Sequence, residues 1–224
     1  MKKTIIGLAK ASHFGPTLLV TTLSYFFAQL FWWEGPSLVI AFGVFLGQLV
    51  VGWSNDLIDY EDDLRHQRMN KPLVAELISR TLLLRALRIV LPLALLINLF
   101  GPLGLIGGGL SIFAIGWAVA YNFYFKFTLL SWLPYAIAFA ALPSSMALSK
   151  DYLPPMWMWA GGALLGVAAH FLNVIKDMKQ DHMSGIKGLP QRCGTQGSLL
   201  IALTLIALAI ALLRSSDLTL PPVL

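Results

Sequence analysis

The residues with the clearest potential for chemistry form a short acidic cluster in an otherwise apolar sequence. Five acidic residues stand between positions 56 and 63, and Asp56, Asp59 and Asp63 are spaced by three and four. On a helix this spacing places all three on one face. Carboxylates this close repel one another unless a cation lies among them or water surrounds them. The cluster therefore indicates either a magnesium site, since magnesium favours carboxylate and phosphate oxygens, or a solvated acidic helix.

A second polar stripe of similar design occurs later in the chain. Asn173, Asp177 and Asp181 are spaced by four, so a helix would carry them on one face as well. Each of the two stripes ends an apolar segment. A single pair of aspartates would favour a solvated acidic helix. The presence of a second stripe favours a site that both stripes form together.

Composition places both stripes in a membrane protein. The chain has 224 residues, of which 57% are hydrophobic and only 12% are charged, whereas soluble domains carry roughly a quarter charged residues. No strand-like alternation occurs, which indicates helices and not a barrel. Cys193 is the single cysteine, so an internal disulfide is excluded. No convincing cleavage site follows Lys2 and Lys3, and we expect no removable signal peptide.

The apolar segments predict seven membrane spans, because a span needs about 20 apolar residues. The spans are Pro16–Trp33, Ser37–Trp53, Leu83–Phe100, Gly104–Tyr121, Leu129–Leu148, Met156–Val174 and Gly197–Leu213. The predicted fold class is all-α, a polytopic membrane helical bundle of about seven transmembrane helices forming a single domain over residues 1–224. Its long polar loops are about 55–81 and 175–196.

The basic residues predict the orientation of these spans. All lysines and arginines except Lys150 and Arg214 fall in the segments on the N-terminal side of the membrane. The positive-inside rule then predicts a multi-pass protein of the cell (inner) membrane, with a cytoplasmic N-terminus and an external C-terminus. Both acidic stripes therefore face the cytoplasm.

Two acidic stripes at one membrane face would hold two magnesium ions, each bridging to a diphosphate. Such cations neutralise phosphate oxygens and help the diphosphate to leave. The apolar interior of the bundle would hold a hydrocarbon tail and exclude water. Basic side chains from the same face would complete the neutralisation; they are Arg65, Arg68, Lys71, Lys126, Lys187 and Arg192.

Two motifs in the chain resemble those of the UbiA superfamily of intramembrane prenyltransferases. They read Asn55-Asp56-x-x-Asp59-x-x-x-Asp63, followed by Arg68 and Lys71-Pro72-Leu73, and Asn173-x-x-x-Asp177-x-x-x-Asp181, followed by Gly185 and Gly188-Leu189-Pro190. The family's loop between spans four and five is similar to Ala120-Tyr121-Asn122, Lys126 and Ser131 to Pro134. The start of short actinobacterial-type members is similar to His13-x-x-Pro16.

This resemblance implies a central cavity open to the cytoplasm, a prenyl diphosphate donor, magnesium as cofactor and an acceptor that is often aromatic. It assigns one magnesium to Asn55, Asp56, Asp59 and Asp63, and the other to Asp177 and Asp181. It implies catalytic roles for Asp56, Asp59 and Lys126. It implies substrate-binding roles for Asn55, Arg68, Lys126, Asn173 and Lys187.

The chain departs from the family pattern in two ways. The first aspartate of the family's second motif falls on Val174, and the chain has room for seven spans where the family usually has nine. A homo-oligomer or lipid of the bilayer would close the helical ring; otherwise the pocket is unusually open or the activity is impaired. We expect no nucleic-acid partner.

Three functions remain open at this point. The first is a prenyltransferase, and the second is a terpene cyclase that ionises a prenyl diphosphate without a separate acceptor, as some relatives of the superfamily do. The third is a transporter or a non-catalytic scaffold, since carboxylates within membranes serve ion pathways. The third is disfavoured because both acidic stripes lie at one surface and no acidic residue falls in the middle of a span.

Overall fold

A computed structural model describes residues 2–216, and these residues form helices joined by short turns and loops. The α-helices of the described chain are α1 Lys2–Ala11, α2 Phe14–Ala28, α3 Glu34–Arg65, α4 Arg80–Phe100, α5 Gly104–Phe123, α6 Leu133–Leu148, α7 Met156–Met183 and α8 Leu189–Ser215. One 3₁₀ turn, Phe125–Phe127, follows α5. The predicted all-α membrane bundle is confirmed. The C-terminus, predicted to be external, lies outside the described residues.

Each predicted span corresponds to one of the helices α2 to α8. Within the described residues, five helices (α3, α4, α5, α7 and α8) are long and apolar enough to cross a membrane, and α2 and α6 are shorter apolar helices. Helix α6 begins four residues later than the predicted span because residues 128–132 form turns. Pro134 lies in the first turn of α6, where its missing N–H costs no hydrogen bond.

The predicted polar loops are shorter than expected because the flanking helices run into them. Helix α3 continues through the acidic cluster to Arg65, since no glycine or proline interrupts residues 54–65. The chain then turns at Gln67, whose φ of 49° lies in the left-handed region. Helix α7 likewise extends to Met183. Both acidic stripes are therefore carried by helices, which hold side chains more rigidly than loops do.

The described chain divides after Gly108 into two compact units. In the first unit, α3 packs against α2 and α4. A buried core beside the cytoplasm-facing end predicted for α3 contains Ala11, Trp53, Leu73, Ile78 and Leu83. In the second unit, α7 packs against α6 and α8. The core there contains Ala168, Phe171 and Ala202. The prediction of a single domain stays a prediction.

Candidate active site

The first acidic stripe is carried by the last three turns of α3. Asp56 and Asp63 are buried, with 2% and 1% of their surface exposed, and Asp59 between them is half-buried. Asn55 Nδ2 donates a hydrogen bond of 3.0 Å to Asp59 Oδ2. A buried carboxylate is costly unless cations or hydrogen-bond donors compensate it. The burial therefore excludes the solvated acidic helix for Asp56 and Asp63.

Two basic side chains from the segment after α3 compensate these carboxylates. Lys71 Nζ donates a hydrogen bond of 2.8 Å to Asp56 Oδ1 and lies 3.9 Å from Asp63 Oδ2. Arg68 Nη1 donates one of 2.8 Å to Asp63 Oδ1. Burial of the Lys71 ammonium opposes its charge, but Asp56 and then Asp63 outweigh burial and raise the pKa of Lys71 above its ordinary value of 10.5. Lys71 therefore remains a cation at neutral pH.

The oxygen atoms of this stripe fit a hard divalent cation. Asp56 Oδ2 is buried and has no hydrogen-bond partner within the described residues. No group of three histidine, cysteine, aspartate or glutamate side chains in residues 2–216 converges as a complete metal site. The buried Asp56 Oδ2 leaves a carboxylate oxygen available to magnesium, which binds through one or two carboxylates and completes its shell with water and substrate phosphates.

His13 is a neighbour of the stripe for which the sequence predicts no role. It lies between α1 and α2 in a left-handed conformation, with φ of 53°. Its Nε2 is 3.2 Å from Asn55 Oδ1 and 3.6 Å from Asp56 Oδ1. A Cβ atom at Gly52 would lie 2.8 Å from backbone atoms of Ser12. The glycine therefore permits the close approach that brings His13 to the acidic stripe.

The second acidic stripe lies on the last turns of α7. Asn173 and Asp181 are half-buried, and Asp177 is exposed. Asp181 Oδ2 accepts a hydrogen bond of 2.7 Å from Gln191 Nε2 at the start of α8. Val174, at the position of the missing family aspartate, is buried with 6% exposure. A buried apolar side chain thus occupies that position.

The two lysines predicted for the second unit have different surroundings. Lys126, in the 3₁₀ turn, is buried with 5% exposure, and its Nζ lies 5.2 Å from the centroid of the Phe127 ring. Lys187 is exposed in the segment between α7 and α8. A cavity of about 410 Å³ lies beside Lys187; its lining is His182, Ile186, Lys187, Gln191 and Arg192. Lys187 and Arg192 give this lining two positive charges, which suits an anion.

A buried serine connects three segments of the second unit. Ser131 Oγ accepts a hydrogen bond of 3.1 Å from the backbone N–H of Leu189, at the start of α8. It also lies 3.1 Å from His170 Nε2 on α7. His170 packs against Tyr135, with the two ring centroids 4.6 Å apart. The buried His170 is thus held by a polar contact with Ser131 and by packing against the Tyr135 ring.

Comparisons with known proteins agree with the fold and the motifs. No curated protein matches the chain. A solved structure from work on digeranylgeranylglyceryl phosphate synthase in membranes is similar, with a TM-score of 0.70 and 18% identity, covering 95% of this chain and 76% of that one. At this identity the likeness shows the fold alone. Residues 17–224 match the UbiA prenyltransferase family, so the chain belongs to that family, as its two aspartate motifs predict.

Proposed function

We propose that this protein is a magnesium-dependent intramembrane prenyltransferase that takes a prenyl group from a prenyl diphosphate and transfers it to an acceptor. The observation that carries the proposal is the burial of Asp56 and Asp63 at the end of the apolar helix α3, with Lys71 and Arg68 beside them. Burying carboxylates costs free energy, and a buried acidic cluster with charged partners is a candidate functional site. Membership of the UbiA prenyltransferase family supports the same activity.

Magnesium would be held at two sets of oxygen ligands. The first set is Asn55, Asp56, Asp59 and Asp63 on α3, and the second is Asp177 and Asp181 on α7. When bound, magnesium neutralises diphosphate oxygens and makes the diphosphate a better leaving group. The unpartnered, buried Asp56 Oδ2 supports the first set most directly.

The chain's own cations would bind the diphosphate. Arg68, Lys126 and Lys187 would contact phosphate oxygens, with Asn173 as a further polar contact. Burial of Lys126 would strengthen its attraction to an anion, since charges interact more strongly where water is excluded. The bond between the prenyl carbon and the diphosphate oxygen breaks, and its electron pair leaves with the diphosphate. The acceptor then forms a bond to the prenyl carbon and releases a proton.

The proposed location is the cell (inner) membrane, with the N-terminus and the acidic stripes at the cytoplasmic face. The apolar helices support a multi-pass membrane protein. The distribution of lysine and arginine supports this orientation, because basic residues are retained on the cytoplasmic side. A homo-oligomer stays a prediction, which the molar mass of the purified protein in a nanodisc would test.

The test is a turnover assay on the purified protein in nanodiscs. Geranyl, farnesyl and geranylgeranyl diphosphates are offered with and without magnesium, and diphosphate release and organic products are measured. Asp59→Ala and Asp177→Ala should each abolish magnesium-dependent release, whereas Glu61→Ala should not, because Glu61 is an exposed neighbour on the same helix. Full activity of both aspartate variants would contradict the proposal.

The products of the same assay separate transferase from cyclase. Release that requires an aromatic acid or a membrane extract would identify a transferase. A cyclised product without any acceptor would identify the terpene cyclase instead. Absence of release from all three donors, with the folded protein verified by its melting transition, would contradict both.

A further inference from the structure

Gln191 occupies a defined position beside the second acidic stripe. It lies at the start of α8, is buried with 7% exposure and donates a hydrogen bond of 2.7 Å from Nε2 to Asp181 Oδ2. It also lines the basic cavity that contains Lys187 and Arg192. Gln191 thus touches both a carboxylate of the stripe and the cavity suited to an anion.

The surroundings of Gln191 fix the orientation of its amide group. A carboxylate oxygen is an acceptor only, so Asp181 requires the amide nitrogen on its side and turns the amide oxygen away. That oxygen, Oε1, is buried and has no hydrogen-bond partner within the described residues. It packs against Gly188, where a Cβ atom would lie only 2.7 Å from it. The amide therefore has one orientation and one unused acceptor.

We propose that Gln191 is a positioning residue for Asp181, and that its amide holds the Asp181 carboxylate in the orientation that binds a divalent cation beside the basic cavity. The inference rests on the proposed function, since it needs a cation at the second stripe. A hydrogen bond of 2.7 Å from a buried amide restricts the rotation of a carboxylate near the end of a helix. Gly188 contributes by leaving space for the amide oxygen.

The first measurement is manganese binding by electron paramagnetic resonance, with inorganic diphosphate present, for the full chain in nanodiscs. Gln191→Met keeps the length of the side chain but removes the donor. We expect its manganese dissociation constant to rise about fivefold, the equivalent of one ordinary hydrogen bond. Gln196→Met, on the exposed face of the same helix, should leave the constant unchanged. The magnesium concentration for half-maximal turnover should rise in parallel in Gln191→Met, with kcat at saturating magnesium little changed.

The second measurement needs no cation and no substrate. Melting temperatures are compared for Gln191→Met, Asp181→Ala and the double variant without divalent ions. If the melting temperature of the double variant falls by less than the sum of the two single decreases, Gln191 and Asp181 stabilise the protein through their contact. Additive losses, or unchanged manganese binding in Gln191→Met, would overturn the proposal. If the unaltered protein binds no manganese with diphosphate, the proposed function fails, and the role of Gln191 in cation binding fails with it, whereas the melting cycle still decides whether Gln191 holds Asp181.

Discussion

Lys71 donates a hydrogen bond of 2.8 Å to Asp56, which lies 15 positions earlier in the chain. The acidic stripe of α3 predicts a cation among its carboxylates, and the ammonium group of Lys71 fills part of that requirement. It lies within 4 Å of both buried aspartates of the stripe. The electrostatic balance of the first motif thus depends on a residue outside the helix that carries the acids.

Replacement of Lys71 by methionine should destabilise the protein. The change leaves Asp56 without its cation and Asp63 with only Arg68. Loss of one partner from a buried ion pair costs about 3 kcal/mol, at the lower end of the usual range because Lys71 is partly exposed. The measurement is thermal unfolding in nanodiscs. Added magnesium should raise the melting temperature of Lys71→Met more than that of the unaltered protein, since the variant has more unbalanced negative charge.

The control for this variant is Arg80→Met. Arg80 Nη1 lies 3.7 Å from Glu61 Oε1, and both side chains are more than half exposed. Exposed ion pairs contribute about 0–1 kcal/mol, so this variant should melt close to the unaltered protein, with or without magnesium. Equal decreases in melting temperature for the two variants would show that Lys71 contributes no more to stability than an exposed ion pair does.

Gly52→Ala should destabilise the packing beside the acidic stripe, whereas the control variant Gly116→Ala should not destabilise the protein. The added methyl group would meet the backbone of Ser12, which cannot rotate away, and the α1–α2 junction must move. Gly116→Ala, in the interior of α5, meets nothing within 4 Å. Alanine favours a helix over glycine by up to about 1 kcal/mol. We therefore expect opposite signs: a lower melting temperature for Gly52→Ala, and an unchanged or higher one for Gly116→Ala.

His13→Leu should weaken turnover through Asn55 and Asp56. The variant removes a contact of 3.2 Å to Asn55 Oδ1, and the loss of one hydrogen bond corresponds to a decrease of about fivefold in kcat/KM for the prenyl diphosphate. His13→Gln keeps a polar amide and should recover part of this loss. His66→Leu is the control, because His66 contacts Asp62, off the stripe. Equal turnover of His13→Leu and the unaltered protein would exclude a role for His13.

The sequence predicts the helices and the acidic stripes but not the partners of the stripes. Periodicity of apolar residues and a spacing of three or four act within one helix, which is why α3 and Asp56, Asp59 and Asp63 are found as expected. The contact of His13 with Asn55 joins residues 42 positions apart. Such a contact depends on how α1 and α2 pack on α3, and Gly52, which permits that packing, carries no signal of its own in the sequence.

Burial is the second property that the sequence leaves open. Asp56 and Asp59 are separated by only three positions, yet Asp56 is buried and Asp59 is half-buried. Asp177 was predicted as a magnesium ligand on equal terms with Asp181, but only Asp181 has the buried neighbour Gln191. Composition and spacing assign these residues to one face, and the packing of the following segment decides which of them is covered.

Ser131→Ala should loosen the start of α8. The serine oxygen is the acceptor for the N–H of Leu189, one of the first helical N–H groups that has no partner within its own helix. Loss of this hydrogen bond should lower the free energy of unfolding by about 1–2 kcal/mol. Amide hydrogen exchange at Leu189 should accelerate, and the melting temperature should fall.

Ser144→Ala is the matched control. Ser144 is also buried, but its hydroxyl donates to Ala140 within its own helix. This variant should lower the free energy of unfolding by about 0.5 kcal/mol or less. If both variants melt alike and exchange at Leu189 is unchanged, the bond from Leu189 to Ser131 does not anchor α8.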